Sequence, residues 1–437
     1  MQIRGNQNHS HRIKRVEVGK MKPVYILGLI VAVFCASGMC FPNPEEAQTD
    51  DQIQEEQPGR INQDSSAIST SNTDFAFKLF KTLASHHQNK NILFSPLSIS
   101  IAFALLSLGA QGSTQTQILE SLRFNLTETS VTEIHRGFQK LIYSHNLPND
   151  MFQLSTGNAL FVDKSMELLE KFQNDSKTFY STEVFSADFQ DSGLARQYIN
   201  DYIKKQTQGK IMEMFKSLDE NTIMVLVNYI YFKAKWKTPF KSIHTSEQNF
   251  FVSEDKIVQV PMMNLDHLYT RVFHDKELFC TVVELPYKGN ATALFILPDE
   301  KKMEDVENSL NPEVLEKWKN SLKKRQINLF LPKFSLSSDF QLEEILPTMG
   351  IEEVFTDQAN LSAITRQRNL KVSKVLHKAV VDVDETGTEA AVATGIEFVL
   401  YSAMFSPEII TFNRPFFIYI YHEEIIFMGK VVNPIST

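Results

Sequence analysis

Few side chains in this sequence are spaced for chemistry. His86, His87, His135 and His145 are scattered, and none has a cysteine or carboxylate partner at metal-ligand spacing. There is no phosphate-cradling glycine loop, no Gly-x-Ser-x-Gly turn and no His-Glu-x-x-His pair. The adjacent acids Glu343 and Glu344 read as the solvated face of a helix. Cys280, between Phe279 and Thr281 in a strand-like run, suits a half-buried inert thiol better than a nucleophile. No catalytic residue, metal site or cofactor is therefore expected. One stretch stands out for another reason. Residues 386–408, TGTEAAVATGIEFVLYSAMFSPE, begin small, turn apolar and aromatic, and contain no proline before Pro407. Their chemistry is that of neither a clear helix nor a clear loop.

The elements that must hold such a segment can be read along the chain. The 437 residues are 43% hydrophobic and 22% charged, enough apolar material for a large core. A net charge of −8 argues against nucleic-acid binding, which needs a basic face. Lys20 and Lys22 precede an apolar run over 24–40 that ends among small residues, the pattern of a signal peptide over 1–40. Met21 is an alternative start. Removing that segment takes Cys35 and Cys40 with it and leaves Cys280 alone, so no intrachain disulfide is expected. Residues 41–72 are polar and acidic, read as a disordered tail, and order is expected from Thr73. Helices fit 74–87, 98–110, 194–207 and 312–322, with a further one capped at Ser113 or Thr114. Strands fit 223–236, 280–287, 292–298, 327–336, 416–422 and 424–432. Helices lead and strands follow without strict alternation. This implies an α+β architecture with large mixed or antiparallel sheets, in a single domain over 73–437.

The motifs NILFSPLSISIAFALLSLGA, NYIYFKAKWKTPF, VPMM, LPKFS, VSKVLHKAVVDVDETGTEAA, FNRPFFIYI and FMGKVVNP occur in that order. Together they resemble the serpin family, and within it the secreted antitrypsin- and antichymotrypsin-like group (clade A), from Thr73 to Pro434. The resemblance implies a helical bundle on three mostly antiparallel or mixed sheets with an exposed reactive-centre loop. It implies a secreted, extracellular, monomeric glycoprotein that inhibits serine proteases as a suicide substrate and is no enzyme. The runner-up is a hormone-carrying member of the same family.

On that resemblance the opening stretch becomes the reactive loop with its hinge: Glu385, Gly387, Thr388, Glu389, Ala390, Ala391, Val392, Ala393 and Thr394. After cleavage this segment would enter a sheet as a new strand. Thr388, Ala390, Val392 and Thr394 share one face, alternate with Glu389, Ala391 and Ala393, and none is bulky. Val392 is larger than the alanine or glycine common in the family at that place, and is expected to slow insertion. The family's spacing from the hinge glycine puts the reactive bond at Tyr401–Ser402, with Leu400 and Met404 as alternatives. A tyrosine there suits the deep apolar pocket of a chymotrypsin-like protease. The resemblance also transfers a structural "shutter" to Ser95, Ser98, Asn228 and His377, and a "breach" to Trp236. N-glycosylation sequons fall at Asn125, Asn174, Asn290 and Asn360, with Asn360 in a motif that reads as partly buried. Lys317, Lys319, Lys323, Lys324 and Arg325 form a basic group that resembles a heparin site of a kallistatin-like member, but a solvated charged face explains it better.

Overall fold

The computed structural model describes residues 58–145, 152–367, 370–387 and 406–436. These fall within one compact unit, Glu56–Thr437. The first half of the chain runs α1 (Pro58–His86), β1 (Ile92–Phe94), α2 (Pro96–Gly109), α3 (Gly112–Ser121), α4 (Val131–His145), β2 (Phe152–Asp163), α5 (Glu170–Tyr180), β3 (Val184–Ala187), α6 (Ser192–Gln206) and β4 (Met224–Ala234). The second half runs β5 (Ser246–Ser253), β6 (Lys256–Asp275), β7 (Cys280–Pro286), β8 (Thr292–Pro298), α7 (Met303–Ser309), α8 (Pro312–Ser321), β9 (Lys323–Pro332), β10 (Phe334–Gln341), α9 (Leu342–Ile345), β11 (Lys374–Val383), β12 (Glu408–Thr411), β13 (Phe416–His422) and β14 (Glu424–Val431).

Two sheets organise the described residues. The larger follows the order β1-β14-β13-β8-β7-β6-β9-β12, with β5 paired to β6. The smaller has the order β10-β11-β4-β2-β3. Two of the three expected sheets are joined, because β6 runs on through a register shift between Leu265 and Leu268 and pairs with both β9 and β7. In the smaller, central sheet β4 and β11 lie side by side and parallel, from Lys374↔Val225 to Val381↔Phe232. Parallel neighbours cannot be joined by a tight hairpin. Here about 140 residues of chain separate them, and that makes a seam along the sheet.

The inward face of the seam carries Ile230, Phe232, Ala379 and Val381, all buried. Its outward face carries Val227, Tyr229, Tyr231, Leu376 and Val380, covered by Ala195, Ile199 and Ile203 of α6. Buried on both faces, these strands read as near-continuous apolar runs, as central strands should. Beneath the sheet α2 is buried almost all round, consistent with SISIAFALLSLGA being apolar on every face.

Two sequence expectations change. Order begins upstream of Thr73: α1 starts at Pro58, and Ile68, Ser71 and Asn72 are buried. The polar composition of this stretch hid a helix stabilised by tertiary packing. Ser113 and Thr114 do not cap α3, whose N-cap is Gln111 without a side-chain bond. Both hydroxyls instead donate to Glu353 Oε1, at 2.9 and 2.5 Å.

Candidate functional site

At the top of the seam the chain leaves β11 in a tight turn. The Asp384 N–H donates to the Gly387 carbonyl and the Gly387 N–H to the Asp384 carbonyl, at 3.1 and 3.3 Å. Asp384 Oδ1 accepts from both the N–H and the hydroxyl of Thr386, each at 2.8 Å. Such an Asx turn explains an aspartate at this place. Gly387 has φ +113°, a region that favours glycine, and a Cβ there would lie 2.3 Å from the Ala234 carbonyl oxygen.

The turn is pinned to the end of β4. Gly387 forms an antiparallel bridge with Lys235. The Trp236 N–H donates to the Thr386 carbonyl at 3.0 Å, and its indole Nε1–H to the Asp384 carbonyl at 2.9 Å. Trp236 is buried and stacks on Tyr287, with ring centroids 4.2 Å apart and planes 12° apart. Glu385 is held on three sides. Its Oε2 accepts from Lys333 Nζ at 2.9 Å, its Oε1 from the Thr245 hydroxyl at 2.9 Å, and its carbonyl from the Phe240 N–H at 2.7 Å. Burial alone would raise the Glu385 carboxyl. The bonds from Lys333, its own backbone and Thr245, with the Lys333 charge, outweigh this and hold it below the usual carboxylate range.

The second cluster lies midway down the seam. Asn158, Asn228 and His377 stand in register across β2, β4 and β11. The Ser95 N–H donates to His377 Nε2 at 3.1 Å, which makes that nitrogen an acceptor. Nδ1 then carries the proton and donates to Asn228 Oδ1 at 2.5 Å. Asn228 Oδ1 also accepts from the Ser98 hydroxyl at 2.9 Å. Asn228 Nδ2 donates to the Ser98 carbonyl at 3.0 Å and to Asn158 Oδ1 at 2.7 Å. His377 is fully buried, and burial pushes its pKa down to about 3, so the ring is neutral at physiological pH. A neutral imidazole that uses both nitrogens cross-links the two parallel strands to α2 without burying a charge.

The structure thus brings Ser95, Ser98, Asn228 and His377 together in one cluster, and Glu385, Gly387 and Trp236 in another. Thr388, Glu389, Ala390, Ala391, Val392, Ala393 and Thr394, and the bond Tyr401–Ser402, lie outside the described residues. Sequence reading missed Asn158, Lys333, Thr245 and Asp384. Asn158 has a local signal, a polar side chain on the same face as the apolar Leu160 and Val162. Lys333 and Thr245 have none, since their role depends on where β11 ends.

Cys280 is buried, and burial pushes its thiol up to about 12, the state of an inert packing residue. Among the described residues no group of three or more His, Cys, Asp or Glu is placed to hold a metal. Asn125, Asn174, Asn290 and Asn360 are all exposed; at the last, the partner that is buried is Leu361. In the basic group, Lys317 is bound to Asp275 and Glu277, at 3.0 and 2.6 Å, and Lys319 lies over the Tyr421 ring. Lys323, Lys324 and Arg325 are exposed. A cavity of about 530 Å³ opens beside the polar cluster, lined by Asn158, Leu141, Tyr180, Tyr202, Tyr229 and Ile230 among others.

A family model described as "Serpin (serine protease inhibitor)" matches residues 70–434. Alpha-1-antichymotrypsin of Homo sapiens is 50% identical over 420 residues, covering 95% of this chain and 99% of that protein. Alpha-1-antichymotrypsin of Pongo abelii is 51% identical over 425 residues, covering 95% and 99%. Among solved structures, human glycosylated kallistatin superposes with a TM-score of 0.80 at 44% identity, covering 86% of this chain and 100% of that one. Human thyroxine-binding globulin in complex with thyroxine superposes with a TM-score of 0.81 at 44% identity, covering 85% and 100%.

Proposed function

The chain belongs to the serpin family, as a serine protease inhibitor of the antichymotrypsin-like group and not an enzyme, and from that premise we propose that it traps chymotrypsin-like proteases at Tyr401–Ser402. The protease serine attacks the Tyr401 carbonyl and forms an acyl-enzyme. The cleaved loop then enters the seam between β4 and β11 and carries the protease with it. A strand of fifteen residues spans about 50 Å. A misplacement of about 1 Å is already costly to a catalytic constellation.

The observation that carries this reading is the antiparallel rung Gly387↔Lys235 at the head of two parallel strands. A strand continuing from it runs antiparallel to both neighbours. Counting down β4 from that rung sets Ala390 beside Phe232, Val392 beside Ile230 and Thr394 beside Asn228. Counting from the rung Asp384↔Gly387 sets the same residues beside Val381, Ala379 and His377. The two counts agree with the observed pairing of β4 with β11. The inserted segment would set Thr388, Ala390, Val392 and Thr394 on the inward face, with Thr394 between Asn228 and His377. Val392 would fall between Ile230 and the smaller Ala379.

The decisive experiment is incubation with chymotrypsin followed by a denaturing gel. A covalent band at the summed mass is expected. Clean cleavage near Tyr401 without that band would refute the trapping mechanism. Tyr401→Arg should shift inhibition toward trypsin-like proteases, and an unchanged target spectrum would refute the assigned bond.

The remaining features fit this role. Residues 1–40 act as a signal peptide, the mature chain is secreted as a monomer, and the four exposed sequons are glycosylated. Heparin would find only Lys323, Lys324 and Arg325 unengaged in the basic group, so its binding is weak. A second reading, carriage of a small apolar hormone, draws on the likeness to thyroxine-binding globulin and on the cavity beside Asn158, whose size suits a ligand. Thyroxine retained in equilibrium dialysis, with no covalent band, would favour it.

A further inference from the structure

The strand that follows the reactive loop, β12, is short and held on one side. It has four residues, Glu408–Thr411, and pairs only with β9 among the described residues. Ile410 is buried, in register with Leu329, and Glu408 is in phase with it two positions earlier. An acid therefore stands on the apolar side of an edge strand. Its carboxylate meets His274 of β6, whose Nε2 lies 3.0 Å from Oε1 and 3.1 Å from Oε2. The other ring nitrogen, Nδ1, lies 3.0 Å from the Thr281 hydroxyl of β7. A carboxylate only accepts, so Nε2 carries a proton whatever the charge of the ring. The Thr281 hydroxyl donates to Nδ1 or accepts from it as the ring requires, so the row of three side chains holds in either state.

The sheet ladder does not supply this contact. β9 separates β12 from β6, and the β6 residue level with Glu408, through Ile327, is Leu268. His274 lies six residues beyond Leu268, which is about 20 Å in a flat sheet. Coiling of the sheet brings it back to the start of β12. The tie thus joins the first residue of β12 to two strands that its backbone does not touch. Its place along the chain gives it a consequence. Glu408 is six steps from Ser402, with Pro407 immediately before it. If β12 unpairs as far as Phe412, whose N–H donates to the Phe330 carbonyl at 2.9 Å, the free arm grows from six steps to ten. The space such an arm explores then grows about twofold.

We infer that His274 and Glu408 are positioning residues for the reactive bond: they hold the start of β12 and so fix the end of the arm that presents Tyr401–Ser402 to a protease. The inference rests on the inhibitory reading and on that bond. The pair acts only before cleavage. Once the bond is cut, the inserting segment ends at Tyr401, and β12 with its arm stays behind on the other piece. The choice between trapping and release is made after that cut. The pair therefore sets the rate of attack on the bond and not the number of inhibitor molecules consumed per protease trapped. An arm fixed in advance is faster bait than a loose one, because the protease does not have to order it. The side chains are 33% and 43% exposed, and exposed pairs contribute little, so the effect is modest.

The test compares the parent protein with Glu408→Ala, His274→Ala, the two combined, and Glu408→Gln, which keeps an oxygen to accept from the Nε2–H. The control is Asp305→Ala, which removes an exposed ion pair with Lys302 at the start of α7. The readouts are the second-order rate constant of chymotrypsin inhibition, the stoichiometry of inhibition, and amide exchange in β12 with β4 as reference. Glu408→Ala, His274→Ala and their combination should each inhibit about two- to threefold more slowly, with exchange about fivefold faster in β12 and unchanged in β4. The combined loss should equal either single loss, because each substitution alone breaks the contact. Stoichiometry should not change, and Glu408→Gln and Asp305→Ala should match the parent. A parent that forms the covalent band, with an unchanged rate in Glu408→Ala and His274→Ala, would overturn the positioning role alone. A loss that Glu408→Gln does not rescue, or that comes with a rise in stoichiometry, would overturn it too, since the effect would lie in the fold or in insertion. A parent that forms no covalent band overturns it together with the inhibitory reading.

Discussion

A single hydrogen atom in place of a side chain lets the turn at Gly387 lie against β4. A Cβ there would sit 2.3 Å from the Ala234 carbonyl oxygen and 2.5 Å from the Trp236 nitrogen, both backbone atoms that cannot rotate away. Gly387→Ala should therefore push the turn off β4, break the bond from the Trp236 N–H to the Thr386 carbonyl, and cost about 2–3 kcal/mol. A melting scan checks this, and an unchanged melting temperature would mean that the turn is not held as described. His377 belongs to the same scale. The unfolded chain takes up a proton here as pH falls through about 6.5, whereas the folded chain resists until about 3. The unfolded state binds more protons across that window, so stability is full above it and declines as pH falls through it. At pH 5 the loss is about 2 kcal/mol from this residue. His135, whose burial lowers it to about 4, adds to the decline in the same direction. The melting temperature of His377→Asn should depend less steeply on pH between 6.5 and 4 than that of the parent.

Between elements, the contact that matters most is the one tying the root of the loop to β9 and β10. Lys333 stands between those two strands, and its ammonium meets a Glu385 carboxylate whose side chain is only 11% exposed. Lys333→Met leaves that carboxylate with the Thr245 hydroxyl and no cation. Breaking such a pair is costly because the remaining charge stays buried, although the half-exposed Lys333 moderates the effect to about 1–2 kcal/mol at neutral pH. Glu385 is held below the usual carboxylate range, so its contribution is present above its unfolded pKa and lost as pH falls through the folded one. The deficit of Lys333→Met should accordingly shrink in acid, and a deficit that is constant from pH 7 to pH 3 would show that packing, not charge, is responsible. Elements also carried most of what could be read in advance. The strands at 280–287, 292–298, 416–422 and 424–432 appear within a residue or two, because each is dominated by β-branched, aromatic and other apolar residues. The run 327–336 divides into β9 and β10 at Lys333, and Pro332 just before it is the local mark of that corner.

At the scale of the whole molecule, the uncleaved fold keeps two parallel strands in contact where a third can enter between them. Insertion would add ladder bonds on both sides of the new strand and convert a mixed central sheet into one with antiparallel neighbours at the seam. On the proposed mechanism the present fold would be a kinetically held state rather than the most stable one the chain can reach. Cleavage within the loop should raise the melting temperature by well over ten degrees, and amides of β4 and β11 should exchange more slowly afterwards. An unchanged melting temperature after complete cleavage would rule out insertion.

By itself the sequence determined the family and the α+β class. Those follow from residue types in order along the chain, and Gly387, Trp236, Asn228 and His377 are visible there as members of motifs. The tertiary structure decided what those residues do to one another. That β4 and β11 are neighbours, that Asn158 completes the polar row, and that Lys333 and Thr245 hold Glu385 all depend on contacts between residues about 50 to 150 positions apart. Pairing at such separations leaves no mark in the local spacing of residues, because it is set by which faces pack and not by which residues are adjacent.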